Sequence, residues 1–161
     1  MIAIRRAAPE DAPQILKLVR ALASYEREPD AVVATVEDVI RDGFGKDPAF
    51  RVHLATWQGE IVGFALWFFT WSTWRGRRCL HLEDLFVLPE HRKKGAGLAL
   101  MRALAEEAVE AGCARFVWQV LDWNAPAIAF YESLGASVMK EWFAVRLDGE
   151  PLSRLALTGI R

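Results

Sequence analysis

The chain has 161 residues, a formal net charge of −1, and 53% hydrophobic and 25% charged residues. This composition excludes a disordered or low-complexity chain, and the near-balanced charge excludes a general nucleic-acid or membrane-surface binder. One domain over residues 1–161 is expected, large enough to be held by its own core without metal or disulfide.

Ile2-Ala3-Ile4-Arg5 predicts an opening strand. Pro9, Glu10 and Asp11 start a helix: proline presets φ, and carboxylates suit the positive end of the helix dipole. Ile15, Leu18, Val19 and Leu22 fall on one helical face, and the helix runs to about Glu26 before Glu28-Pro29-Asp30 breaks it. A second, shorter helix is expected from Glu37 to Arg41, ended by Gly43 and Gly45. From Arg51 the period becomes that of a strand. Residues 51–57 and 61–70, joined at Gln58-Gly59, form an antiparallel hairpin, and Cys79 to Leu88 is a third strand after the turn at Arg75-Gly76-Arg77.

Gly95 and Gly97 open a helix with Leu98, Met101, Leu104, Ala105 and Ala108 on its apolar face, capped by Gly112. Arg115 to Leu121 predicts a strand, and Asn124-Ala125-Pro126 caps a helix running to Leu134. Trp142 to Leu147 predicts a final strand, and Leu152 to Leu155 a short tail segment. The order is β-α-α-β-β-β-α-β-α-β, a mixed sheet with helices packed on it. Cys79 and Cys113 lack zinc-like spacing and read as reduced thiols of a cytoplasmic protein. The first residues carry no signal-peptide run, and the longest apolar stretch, Ile61 to Phe69, is too short for a spanning helix, so neither export nor a membrane is expected. His53, His81 and His91 are scattered without metal spacing, and no metal is expected.

The segment from Leu82 to Gly97 carries the most chemistry. A strand runs into a turn holding Arg92-x-x-Gly95-x-Gly97, and a helix follows at once. The glycines let backbone N–H groups approach a ligand, and the helix adds unpaired donors and the positive end of its dipole. This turn suits an anion such as a phosphate. Arg92, Lys93 and Lys94 add charge there. No Gly-Lys-Ser/Thr ending follows, so it is not a P-loop, and no third glycine makes it a dinucleotide fingerprint.

Arg92-Lys93-Lys94-Gly95-Ala96-Gly97 after a Leu-Phe-Val-Leu-Pro strand, then Asp122-Trp123-Asn124, then Ala129-Phe130-Tyr131-Glu132-Ser133-Leu134-Gly135-Ala136, resembles the GCN5-related N-acetyltransferases (GNAT). Within them the chain is most similar to the diamine acetyltransferases, which act on spermidine, spermine or thialysine. The resemblance covers nearly the whole chain and implies a GNAT-like α/β (α+β) fold, a mixed, mostly antiparallel sheet flanked by helices. It also implies acetyl transfer from acetyl-CoA to a primary amine, and a homodimer. By that resemblance Leu85, Phe86 and Val87 pair with the pantetheine arm, and the turn from Arg92 through Lys93, Lys94, Gly95, Ala96 and Gly97 to Leu98 holds the pyrophosphate. Asn124, Ala125, Pro126 and Ala127 border the cofactor, Tyr131 is the general acid, and Glu83 lies where the amine binds.

Elementary chemistry agrees. An ammonium must lose a proton before it attacks a thioester, so the site needs a base. Glu83, in a hydrophobic strand, is the expected one, its pKa raised by burial and lowered by a cationic substrate. Tyr131 can protonate the leaving thiolate, and N–H groups near Leu85 can polarise the carbonyl. Glu83 and Asp84 are neighbours, so a regular strand turns them to opposite faces and a β-bulge would change that. Tyr25, Glu26, Trp74, Asp84 and Trp142 complete the expected amine site, aromatic faces being able to hold a cation. Spermidine/spermine enzymes carry Asp-Pro-Trp where this chain has Ser72-Thr73-Trp74, which favours a small acceptor such as thialysine, a lysine-like amino acid or a short diamine. Two other readings fit the same residues: a regulatory acetyl-CoA-binding module, and an acetyltransferase of protein lysines or N-termini.

Overall fold

The strand and helix periods of the sequence are realised in a computed structural model that describes residues 1–157. The chain forms two units, Met1–Gln119 and Val120–Arg161. In the first, β1 (Ile2–Arg6) leads through a 3-10 turn to α1 (Ala12–Tyr25) and α2 (Val36–Phe44). Then come β2 (Arg51–Trp57), β3 (Glu60–Ser72), β4 (Arg77–Val87), α3 (Ala96–Glu110) and β5 (Arg115–Trp118). The strands lie side by side in the order β1-β2-β3-β4-β5. All pairs are antiparallel except β4 with β5, which is parallel. The expected mixed, mostly antiparallel sheet is what forms.

Local chemistry fixes the helix starts. The Ala8 N–H donates to Asp11 Oδ2 at 2.8 Å, and the Arg5 guanidinium grips both Asp11 oxygens at 2.7 and 2.8 Å. That bidentate partner holds the Asp11 carboxyl below its usual range. Thr35 caps α2 reciprocally: Asp38 N–H donates to Thr35 Oγ1, and Thr35 N–H to Asp38 Oδ2.

Period-two alternation divides the core between the two faces of the sheet. On one face Leu54, Phe64 and Phe86 bury against Ile15, Leu18 and Leu22 of α1. On the other, Trp67 is fully buried and its Nε1–H donates to His53 Nδ1 at 3.0 Å. His53 Nε2 lies 3.5 Å from Glu107 of α3, which also pairs with Arg6. Burial lowers the tendency of His53 to take a proton. Gly63 of β3 is required by close approach: a Cβ there would sit 2.7 Å from the Phe86 carbonyl oxygen of β4.

The second unit holds α4 (Ala125–Ser133) and α5 (Gly149–Leu157). The expected strand from Trp142 to Leu147 does not form, and the tail segment expected at Leu152 to Leu155 is part of α5. Alternating apolar residues make a strand only where another strand supplies backbone partners. Among the described residues none pairs with 142–147, and Trp142, Phe143 and Val145 stand 69%, 88% and 94% exposed. β5 also ends at Trp118, short of the expected Leu121.

Candidate active site

The register of β3 and β4 contains the decisive irregularity. Leu66 pairs with Asp84 and Trp67 with Leu82, so Glu83 is an extra residue opposite no partner. This is a β-bulge. Leu82 keeps to the face of Trp67, whereas Asp84 pairs with Leu66 and precedes Phe86, both packed with the α1 core. Glu83 and Asp84 therefore both turn toward the α1 face instead of pointing apart. There the end of α1 meets them: the Tyr25 and Phe86 rings are 6.5 Å apart, and Glu26 follows.

The cluster is acidic. Asp84 is half-buried, and desolvation, then the neighbouring charges of Glu83 and Glu26, push its carboxyl up to about 6. Partial burial pushes Glu26 up as well. Among the described residues no lysine or arginine pairs with Asp84 or Glu26. Glu83 departs from the burial expected of it: its side chain is 54% exposed, and its Oε2 lies 3.3 Å from His81 Nε2. The carboxylate held away from water is Asp84. Like charges at this density suit a cationic ligand.

Beside the bulge, β4 loses its neighbour. The parallel ladder with β5 runs from Cys79–Arg115 to Leu82–Trp118 and stops. From Glu83 to Val87 no strand among the described residues pairs with that edge of β4. Leu88 N–H bonds back to Val62 of β3, while the Val87 carbonyl accepts from Arg92 on the open side. By alternation Leu85 turns its N–H and C=O the same way, to a ligand of extended shape. At the end of the edge a 3-10 turn, Pro89–His91, precedes the glycine turn. Lys93 (φ 59°) and Gly95 (φ 89°) are left-handed, so successive N–H groups fan toward one side. The first bond of α3 runs from Ala99 N–H to the Gly95 carbonyl. The amides of Ala96, Gly97 and Leu98 thus lack helical acceptors and remain donors for an anion.

Arg92 takes a different place from the one expected. Its Nε–H donates to the Val87 carbonyl at 3.0 Å, and its guanidinium lies 4.5 Å from the Tyr25 ring centroid and 5.5 Å from that of Phe86. It clasps the turn to the end of α1. Lys93 and Lys94 are exposed at the turn, with Lys94 Nζ 5.4 Å from the Trp57 ring centroid. Trp74 is exposed in the hairpin between β3 and β4. The other expected residues belong to the second unit. Asn124 caps α4 by accepting from the Ala127 N–H, Ala125 and Pro126 form its first turn, and Tyr131 is half-buried with its ring 5.4 Å from Phe130.

Residues 14–136 match the acetyltransferase (GNAT) family. The chain belongs to that family. It is 39% identical over 166 aligned residues to the thialysine N-epsilon-acetyltransferase of Sus scrofa, covering 96% of this chain and 97% of that one. It is 29% identical to the L-ornithine N5-acetyltransferase of Arabidopsis thaliana, covering 94% and 86%. Among solved structures it resembles an integron cassette protein from the mobile metagenome of V. cholerae, with a TM-score of 0.82, 27% identity and 98% of both chains covered.

For this GNAT chain, the structure gathers Tyr25, Glu26, Glu83, Asp84, Leu85, Phe86, Val87 and the glycine turn within the first unit. Sequence reasoning overlooked His81, whose spacing of two from Glu83 on a strand already puts both side chains on one face. Nothing in the sequence signalled that Arg92 would stack on Tyr25.

Proposed function

We propose that residues 1–161 act as one acetyltransferase domain that moves an acetyl group from acetyl-CoA directly to the primary amine of a small, lysine-like acceptor such as thialysine or a short diamine. The observation that carries this reading is the bulge, which brings the Glu83 and Asp84 carboxylates together near Glu26, next to the edge of β4 that β5 leaves open. The family match, which runs through both units, and the names of the relatives support it. The residues fit the cofactor. The Leu85–Val87 backbone offers an edge for pantetheine, and the amides of Ala96, Gly97 and Leu98 with Lys93 and Lys94 offer a seat for diphosphate. Acetyl-CoA supplies the activated acyl group and a thiolate leaving group.

The acidic residues draw in the ammonium, and one carboxylate of the Glu83–Asp84 pair takes its proton. The freed amine attacks the thioester carbonyl, polarised by backbone N–H near Leu85. The Tyr131 hydroxyl protonates the departing sulfur, with Asn124 to Ala127 bordering the cofactor. Tyr25, Trp74 and Trp142 would line the acceptor's methylene chain. We place the enzyme in the cytoplasm, as a homodimer, since the exposed apolar run at Trp142, Phe143 and Val145 is the kind of surface that a second copy covers. Among the described residues no helix is long and apolar enough to cross a membrane, and no group of ligating side chains could hold a metal ion.

A steady-state screen tests the acceptor: thialysine, lysine, ornithine and putrescine are expected to be used with higher kcat/KM than spermine or a lysine-containing peptide. Spermine or the peptide outcompeting them overturns this choice. Absence of heat on titrating coenzyme A into folded protein overturns the acetyl-transfer reading as a whole. Tyr131→Phe is expected to lower kcat roughly a hundredfold without changing coenzyme A affinity. An unchanged kcat removes Tyr131 from the reaction.

A further inference from the structure

Acetylation of an ammonium leaves a proton over. R–NH3+ breaks two N–H bonds, one proton ends on the coenzyme A sulfur, and the other must reach water. His81 is placed to take that second proton. Its Nε2 lies 3.3 Å from Glu83 Oε2, Glu83 being the bulged residue and His81 lying two positions before it on the same face of β4. Its ring is 4.9 Å from Phe68 of β3, which holds the imidazole plane. The side chain is 24% exposed, so the imidazole touches both the carboxylate and solvent.

We propose that His81 is the outlet of a proton relay that clears Glu83 in each turnover. This deepens the acetyl-transfer reading and rests on it. The amine N–H breaks as an O–H forms on Glu83. That O–H breaks as Nε2–H forms on His81, and the imidazolium releases a proton to water, so Glu83 is again a carboxylate for the next ammonium. Histidine suits the step because an imidazole can take a proton at one ring nitrogen and release one from the other. The charged group that the imidazole meets is Glu83 on its own strand. From β3 it meets the apolar Phe68, its register partner in β5 is Val117, and Arg78 is turned away onto Phe69. His81 acts through Glu83 and is therefore a positioning and relay residue.

His81→Ala tests this with thialysine or lysine as acceptor at neutral pH in dilute buffer. The expected result is a kcat lowered on the order of tenfold, an unchanged KM for acetyl-CoA, and recovery of kcat in proportion to added imidazole, to which wild type does not respond. His81→Gln, which keeps a polar group of similar size, is read for its kcat–pH profile, which is expected to differ in shape from that of wild type. A His81→Ala enzyme with wild-type kcat, or a slowed but folded one that imidazole does not rescue, overturns the relay. So does a His81→Gln profile that superimposes on wild type. A wild-type protein that acetylates no amine overturns the acetyl-transfer reading itself, so the two failures are distinct.

Discussion

Asp84→Asn is expected to stabilise the fold at neutral pH while removing most of its activity on small amines. The Asp84 carboxyl is pushed from an ordinary 3.8 up to about 6 by desolvation and by the charges of Glu83 and Glu26. Between those two values the folded chain holds a proton that the unfolded chain has released. Stability therefore falls as pH rises from about 3.8 to about 6 and stays lower above that. The penalty at neutral pH is up to about 3 kcal/mol, and a neutral amide of the same shape escapes much of it. The gain in Tm should disappear below pH of about 4, where both states of the wild type are protonated. Activity moves the other way. Loss of the enclosed carboxylate removes a partner of the ammonium and half of the candidate base pair, and should lower kcat/KM for the amine roughly a hundredfold. The KM for acetyl-CoA should not move. Paired thermal melts and steady-state kinetics check both halves, and a variant that is less stable at neutral pH or fully active refutes the role given to Asp84.

Trp67→Ala is expected to have the largest effect on stability. Trp67 is fully buried on the α3 face, and deletion of a side chain of that size costs about 3–5 kcal/mol, or roughly 10 °C in Tm for a chain of this length. The loss also strands His53 Nδ1, which accepts the indole N–H. His53 supplies an independent check through acid. Burial lowers its folded pKa below the ordinary 6.5, so as pH falls below that value the unfolded chain takes up a proton that the folded chain refuses. Its contribution is thus present at neutral pH and lost on acidification, opposite in sense to that of Asp84. His53→Gln should flatten this part of the Tm–pH curve. Chemical denaturation of Trp67→Ala, with melts of His53→Gln from neutral to mildly acidic pH, measures both effects.

The sequence resolves those features that local chemistry controls. Period 3.6 in Ile15, Leu18, Val19 and Leu22 marks α1, and period two from Arg51 onward marks the hairpin. Gly95 marks the anion turn because its need for a left-handed backbone is written into residue type. What it does not resolve depends on partners distant in sequence. Trp142 to Leu147 has the alternation of a strand, but no ladder forms there among the described residues. The facing of Glu83 and Asp84 depends on a one-residue slip against Leu66 and Trp67, which neither strand's own pattern contains. Arg92 reads as a phosphate ligand by position, yet its side chain is drawn back to Val87 and Tyr25 by a carbonyl and a ring that only the fold brings near.

The unpaired residue in β4 has a consequence for how such a catalyst can diversify. Because position 83 answers to no rung of the sheet, its side chain can be exchanged without forfeiting a cross-strand bond or disturbing the interior. A carboxylate there is a replaceable fitting on a fixed frame. Position 83, without a register partner and more than half exposed, is among the least constrained along the strand.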